Sequence, residues 1–139
     1  MRLTSFTDYG LRALMRLAGA PDRTFSVPEI AEEFAISRDH LMKVVRELAR
    51  HDFVVTQRGP AGGIRLSRSA DEIRLGSVVR VLEARHALVE CFEKGACVCR
   101  LLPRCRLKGR LAKAREAFLD DLDRSTLADC AYPVSPKGR

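Results

Sequence analysis

A chain of 139 residues, 46% of them hydrophobic, is long enough for one domain with a short appendage and needs no disulfide framework for stability. Its net charge of +7 favours a polyanionic partner, although a soluble basic surface gives the same balance. No stretch reaches the roughly 20 apolar residues of a membrane span. The start, MRLTSFTDYG, lacks the apolar core of a secretion signal, so we expect a cytoplasmic protein.

The first predicted element is an amphipathic helix that ends near Gly19. Ser5 is the expected N-cap, and Asp8 lies three residues further on, where the acid of a capping box stands. The apolar positions recur at helical spacing and form one stripe: Phe6, Tyr9, Ala13, Leu14 and Leu17.

Two short helices with a tight break between them follow. Ser26 is the expected N-cap of the first, with Pro28 in its first turn, and Ser37 is the expected N-cap of the second. The second helix carries apolar Leu41, Val44, Val45 and Leu48, together with polar Arg38, His40, Lys43 and Arg46. This layout is typical of a helix-turn-helix, although other helical hairpins share it.

A basic β-hairpin is predicted directly after these helices. Residues 53–58 are rich in strand-forming side chains, residues 59–63 read GPAGG, and residues 64–66 return as a second strand. Seven cations and three acids lie between residues 37 and 68. Such a hairpin is a wing whose glycines allow close approach to a phosphate backbone, and an ordinary hairpin with a flexible tip is the alternative.

A short helix over residues 76–84, an irregular segment over 91–105 and one long helix complete the pattern. The long helix has a narrow apolar seam that suits packing on a second copy of the chain or on its own domain. The seam consists of Leu107, Leu111, Ala114, Phe118 and Leu122.

The elements together predict a mainly α-helical fold with a small β-hairpin wing: a winged helix-turn-helix followed by a long C-terminal dimerisation helix. The expected divisions are a DNA-binding domain over residues 1–84 and a cysteine-bearing loop over 85–106. The dimerisation helix and a last turn then occupy 107–130, and a disordered tail occupies 131–139.

Four of the five cysteines lie within fifteen residues, at positions 91, 97, 99 and 105. In a reducing compartment such a cluster is typical of a metal or redox site. The wide spacings lack the paired knuckles of a zinc site and favour an iron–sulfur cluster. Zinc, a thiol redox switch and inert cysteines remain alternatives.

The surroundings of the cysteines are strongly basic. No acid lies between residues 94 and 115, and the cations there favour an anionic cluster. They are Lys94, Arg100, Arg104, Arg106, Lys108, Arg110, Lys113 and Arg115. No catalytic Cys–His–acid set or phosphate-binding glycine loop is legible in the sequence, so an enzyme is not expected.

Six segments of the chain carry a resemblance to a known family. They are LTSFTDYGLRAL (3–14), ISRDHLMKVV (36–45), RGPAGG (58–63), ECF (90–92), CRLLPRCRLK (99–108) and LDRSTLAD (122–129). Together they resemble the winged-helix iron–sulfur regulators, a family that includes IscR and the nitric-oxide-sensing NsrR repressors, and they look most like the NsrR members. The likeness covers residues 1–130.

The resemblance implies a homodimer in which each subunit holds one iron–sulfur cluster. The implied ligands are Cys91, Cys99 and Cys105, with Cys97 as an alternative to Cys99. A 4Fe–4S cluster is favoured over a 2Fe–2S cluster. IscR-like members use a histidine where this chain has Lys108, so that ligand set is not expected.

NsrR-like members also draw one carboxylate ligand from the first helix of the partner subunit. Asp8 stands in the matching place, whereas without the family Asp8 is read as a helix-cap acid. Arg12, one turn further on, is expected to orient that carboxylate.

The family reading also assigns the DNA contacts. Two recognition helices are expected to enter successive major grooves of a palindromic operator. Ser37, Gly62 and Gly63 would touch phosphate, and Arg58 would reach the backbone or a narrow minor groove. The expected readers of base edges are Arg38, Asp39, His40 and Lys43.

The expected function is therefore a homodimeric repressor that senses nitric oxide and controls genes of nitric-oxide detoxification or nitrosative stress. Two alternatives stay open. One is a redox or iron–sulfur-status regulator of the same family, and the other is a zinc-stapled interaction domain.

Overall fold

The computed structural model describes residues 1–95 and 97–133 of the chain. Five helices and one antiparallel hairpin lie in this part, as the sequence predicts. They are α1 (Ser5–Ala18), α2 (Val27–Glu33), α3 (Arg38–Arg50), β1 (Val54–Gln57), β2 (Gly63–Leu66), α4 (Leu75–Leu82) and α5 (Arg106–Leu122). None of the described helices is long and apolar enough to cross a membrane.

The predicted N-caps are correct for two helices and wrong for the first. The Ser26 and Ser37 hydroxyls accept hydrogen bonds from the backbone amides of Glu29 and His40, at 3.2 and 3.5 Å. At α1 the cap is Thr4, whose hydroxyl accepts from the Thr7 amide at 3.3 Å. Thr4 and Ser5 are neighbouring hydroxyl residues and either could be the N-cap. Because Thr4 takes this role, Ser5 lies inside the first turn.

One core joins α1, α2, α3, α4 and the hairpin. Its largest fully buried side chains include Leu14, Ile30, Leu41, Leu48 and Val78. The stripes predicted for α1 and α3 therefore face inward, and the polar face of α3 is left toward solvent.

The hairpin is anchored to the core along its outer edge. Val54 pairs with Leu66 and Gln57 with Gly63, while Phe25 forms an isolated bridge with Ile64 on the other side of β2. Gly63 has a φ of +148° and lies directly against the Phe25 backbone, so a side chain would not fit there. The wing is thus held at its base and free at its tip.

The last turn, which the sequence groups with the long helix, packs on α1 and on the segment before α4. Leu127 is fully buried, and its amide donates to the Ile73 carbonyl at 2.8 Å. Of the tail predicted as disordered, residues 134–139 lie outside the described part. Tyr132 lies against α1, where its amide donates to the Met15 carbonyl at 2.9 Å.

Helix α5 touches the rest of the chain mainly near its C-terminal end. Arg80 of α4 bonds Asp120 at 2.8 Å and also reaches Glu116 and Asp123. Leu119 is the one buried residue of α5. The apolar seam is only partly covered, with Leu107 62% exposed.

A carboxylate from the end of α4 ties down the start of α1. Oxygen Oε1 of Glu83 accepts from the backbone amide and the hydroxyl of Thr4, both at 2.8 Å, and from the hydroxyl of Thr7. Burial raises the pKa of Glu83, but the hydrogen bonds from Thr7 and Thr4 outweigh it and leave the pKa below its usual value. We call these three residues the Glu83 clamp.

The clamp predicts a pH-dependent loss of stability in Glu83→Gln. Folding lowers the pKa of Glu83, so its negative charge stabilises the folded state at pH values above the unfolded carboxyl pKa of about 4.3. This stabilisation is lost as the pH falls through the lower pKa that Glu83 has in the folded protein. Urea unfolding at pH 7 should show a deficit of about 1 kcal/mol against wild type, shrinking below about pH 4. Glu72→Gln, at an exposed position, is the matched control. A deficit that does not change with pH would contradict the role of the charge.

Candidate DNA-binding surface and cysteine loop

The polar face of α3 forms an exposed surface at the start of the helix. Ser37, Arg38, Asp39, His40 and Lys43 are all exposed, whereas the apolar stripe of the same helix, Leu41, Val44, Val45 and Leu48, is buried. None of the cations in this group takes part in an ion pair within the described chain, so their charge is available to a polyanion. The structure therefore places all five predicted residues on one accessible helix end.

The tip of the wing provides a second exposed basic element. Arg58 and Gly59 are exposed, and the Gly62 amide donates to the Gly59 carbonyl at 2.9 Å to close the turn. Gly62 and Gly63 are half-buried, because one closes the turn and the other faces the Phe25 backbone. Both glycines thus have a role in shaping the hairpin itself, beside the predicted phosphate contact.

Asp8 lies on the surface of α1 and pairs with Arg12. Atom Oδ2 of Asp8 is 2.7 Å from Nη2 of Arg12, and Nε of Arg12 donates to Oδ1 at 3.1 Å. The two side chains are 46% and 45% exposed. Arg12 and Asp8 thus form a two-point contact, and the carboxylate remains reachable from outside the subunit.

The residue after Asp8 touches the recognition helix. The Tyr9 ring lies 6.5 Å from the His40 ring, centroid to centroid, at an interplanar angle of 34°. The next residue, Gly10, packs so closely on Leu82 and Val44 that a side chain there would have to displace them. Asp8, Tyr9 and Gly10 therefore face the solvent, helix α3 and the core in turn.

Four of the five cysteines lie on the segment that connects α4 with α5. Cys91 belongs to a short 3-10 turn over Glu90–Phe92, Cys105 is the N-cap residue of α5, and Cys97 and Cys99 lie between them. None of them forms a disulfide, and Cys99 is exposed while the other three are half-buried. In residues 1–95 and 97–133 of the single chain, no three Cys, His, Asp or Glu side chains converge into a metal site.

The donor set nevertheless fits an iron–sulfur cluster. Free thiols are its usual ligands, and an irregular segment between two helices can bring distant thiols together without breaking regular structure. The side chain of Phe92 stacks on Arg115 at 5.8 Å, which ties the loop to α5 beside Cys91. An oxygen ligand from another subunit would complete the set from the exposed Asp8.

Two contacts at this site escape the sequence reasoning. The aromatic pair of Tyr9 with His40 is not foreseen, because Tyr9 is read only as a member of the apolar stripe. Glu83 is not foreseen because its partners Thr4 and Thr7 are 79 and 76 residues away. No local spacing in the sequence signals either contact.

A family model described as an iron-dependent transcriptional regulator, Rrf2, matches residues 3–133. Among solved structures, the chain is similar to CymR (YrzC), the global cysteine regulator of B. subtilis, with 28% identity and a TM-score of 0.71 over 94% of this chain and 96% of CymR. It is also similar to an oxidised form of Staphylococcus aureus CymR, with 28% identity and a TM-score of 0.71 over 97% and 99% of the two chains.

T. potens IscR is similar as well, with 25% identity and a TM-score of 0.69 over 93% of this chain and 85% of IscR. These relatives share the winged helix-turn-helix, and they are regulators of transcription and not enzymes. The match over nearly the whole length, together with the exposed recognition helix and wing, establishes the identity of the fold and the class of activity. The chain belongs to the Rrf2 family of transcriptional regulators.

Proposed function

We propose that this Rrf2 regulator is a homodimeric, iron–sulfur-dependent repressor of the NsrR type, which releases a palindromic operator when nitric oxide reacts with the cluster. The observation that carries the proposal is the position of Asp8. Its carboxylate is exposed on α1, and Tyr9, the next residue, contacts His40 on the DNA-reading helix. A movement of Asp8 would therefore act directly on the neighbouring residue, Tyr9, which contacts the proposed DNA-binding surface at His40.

Each cluster would be held by Cys91, Cys99 and Cys105 of one subunit and by Asp8 of the other, with Cys97 as the alternative middle ligand. We favour a 4Fe–4S cluster over a 2Fe–2S cluster. Three thiolates and one carboxylate suit such a site, because the oxygen donor is the least well matched to iron and leaves one position open to exchange. The bound group would supply iron with affinity for nitric oxide.

Residues of α1 would pass the state of the cluster to the DNA-binding surface. When Asp8 is engaged by the partner subunit, α1 is fixed and Tyr9 supports His40. When Asp8 is released, it keeps only its contact with Arg12 on the same helix, and α1 is no longer held from outside. The two recognition helices then lose the fixed separation that successive major grooves demand.

The dimer of this proposal forms through α5. Its seam of Leu107, Leu111, Ala114, Phe118 and Leu122 is only partly covered within one chain. A narrow seam with this spacing suits a symmetric helix pair. Members of the Rrf2 family are typically dimeric, which agrees with this use of the seam.

Cysteine variants test the ligand set. In anaerobically isolated protein, Cys105→Ala should lose at least about nine-tenths of the iron and acid-labile sulfide. Losing even an outer-shell partner of a metal ligand typically weakens metal binding about 10- to 100-fold, and losing the ligand itself costs at least as much. Cys130→Ala, in the last turn and away from the loop, is the matched control and should keep the wild-type content. Zinc without sulfide in the wild type would contradict an iron–sulfur protein and support a zinc site instead.

Nitric oxide tests the signal. A palindromic duplex selected from a random library by the iron-loaded protein should be bound before, and released after, addition of a few equivalents of nitric oxide per cluster. Oxygen exposure and iron removal, applied separately, distinguish a redox or iron–sulfur-status regulator. Release by these treatments but not by nitric oxide would overturn the nitric-oxide assignment.

Arginine and lysine variants test the DNA surface. Arg38→Ala and Lys43→Ala should each weaken binding of the selected duplex by about 5- to 150-fold, the range for loss of one base contact. Arg58→Ala should weaken binding to all sequences and reduce the slope of log affinity against log salt by about one. Arg124→Ala, whose side chain is 82% exposed beyond α5, is the control and should bind as wild type. Equal losses in all four variants would point to general charge and not to a reading surface.

A further inference from the structure

The Glu83 clamp lies between two parts of the molecule that the proposed function uses. At one end it holds Thr4 and Thr7 in the first turn of α1, and Asp8 is the residue that follows Thr7. At the other end Glu83 is the C-cap residue of α4, from which the segment toward Cys91 departs. One carboxylate therefore joins the helix that carries Asp8 to the root of the cysteine loop.

The geometry of the clamp is that of a fixed anchor. All three hydrogen bonds converge on one oxygen of Glu83, and Thr7 is fully buried. The same oxygen lies at the start of α1, where a negative charge also favours the helix dipole. A charged acceptor with three donors is stronger than neutral hydrogen bonds and restricts where the first turn can lie.

An anchor of this kind matters because, in the described part of the chain, the Asp8 side chain is paired only within its own helix. Its partner Arg12 belongs to the same helix and moves with it, and both side chains are nearly half exposed. The first turn of α1 projects toward a groove of about 580 Å³ lined by Leu3, Glu83, Leu88, Arg115 and Phe118. The clamp is thus the polar contact that fixes the start of α1 beside this groove.

We infer that Glu83 is a positioning residue, which holds the first turn of α1 so that Asp8 stands where the partner subunit's cysteine loop can use it. The inference rests on the proposed function. It adds that the clamp couples the two subunits of the dimer. In each subunit Glu83 connects α1, whose Asp8 would bind the partner's cluster, to the start of that subunit's own cysteine segment.

The first test uses iron-free protein and measures amide hydrogen exchange. The Thr4 amide donates to Glu83, and the Asp8 amide donates to the Thr4 carbonyl at 3.0 Å. Glu83→Gln and Thr7→Val should each speed exchange of these two amides by about threefold to tenfold. Glu72→Gln should leave both rates unchanged. Wild-type rates in Glu83→Gln would overturn the clamp.

The second test uses iron-loaded protein and measures anaerobic cluster loss to the chelator EDTA. Glu83→Gln should accelerate the loss several-fold toward the rate of Asp8→Ala. Adding Glu83→Gln to Asp8→Ala should then give no further acceleration, because both changes remove the same ligand. A clamp that only stabilises the fold would instead give additive rates.

The outcomes separate the inference from the function on which it rests. A wild-type protein that binds no iron overturns the proposed function, and with it the role of Glu83 toward the cluster. A wild-type protein that holds iron, combined with wild-type cluster loss in Glu83→Gln or with additive rates in the double variant, overturns the inference alone.

Discussion

The position of α1 depends on a close approach at Gly10. An added Cβ there would lie 3.3 Å from Val44 of α3 and in collision with Leu82 of α4, so the three helices meet with no space between them. Packed interiors of this density do not deform gradually, because small shifts cost contacts on every side. Helix α1 therefore packs against α3 and α4 at the same point.

The three residues before Gly10 lie on this closely packed helix and face three different ways. Tyr9 contacts His40 on the exposed end of α3, and Asp8 lies on the outer surface beside it. Thr7, on the inner side, is held by Glu83. A short stretch of α1 thus meets the exposed end of α3, the solvent and the end of α4, so this helix joins the surface of α3 to the end of α4.

The sequence predicts the elements whose signals are local. Ser26 and Ser37 are correct caps because a hydroxyl residue before an apolar stripe fixes a helix start within three residues. The cap of α1 is missed by one residue, since Thr4 and Ser5 offer the same chemistry, and the neighbour that selects Thr4 is Glu83, far along the chain. The arrangement of the four loop cysteines cannot be read from spacing either, because the segment around them has no period to fix its path.

The first turn of α5 shows how charge and ligand chemistry meet in one segment. Cys105 makes no side-chain hydrogen bond as the N-cap residue, and Arg106, Lys108 and Arg110 follow it at the positive end of the helix dipole. Cations there are unfavourable for an isolated helix, and no acid lies nearby in sequence. An anion beside this turn would reverse the sign of that interaction. Thiolates gathered at a cluster supply such an anion, so the proposed site explains the cysteines and the run of basic residues by a single requirement.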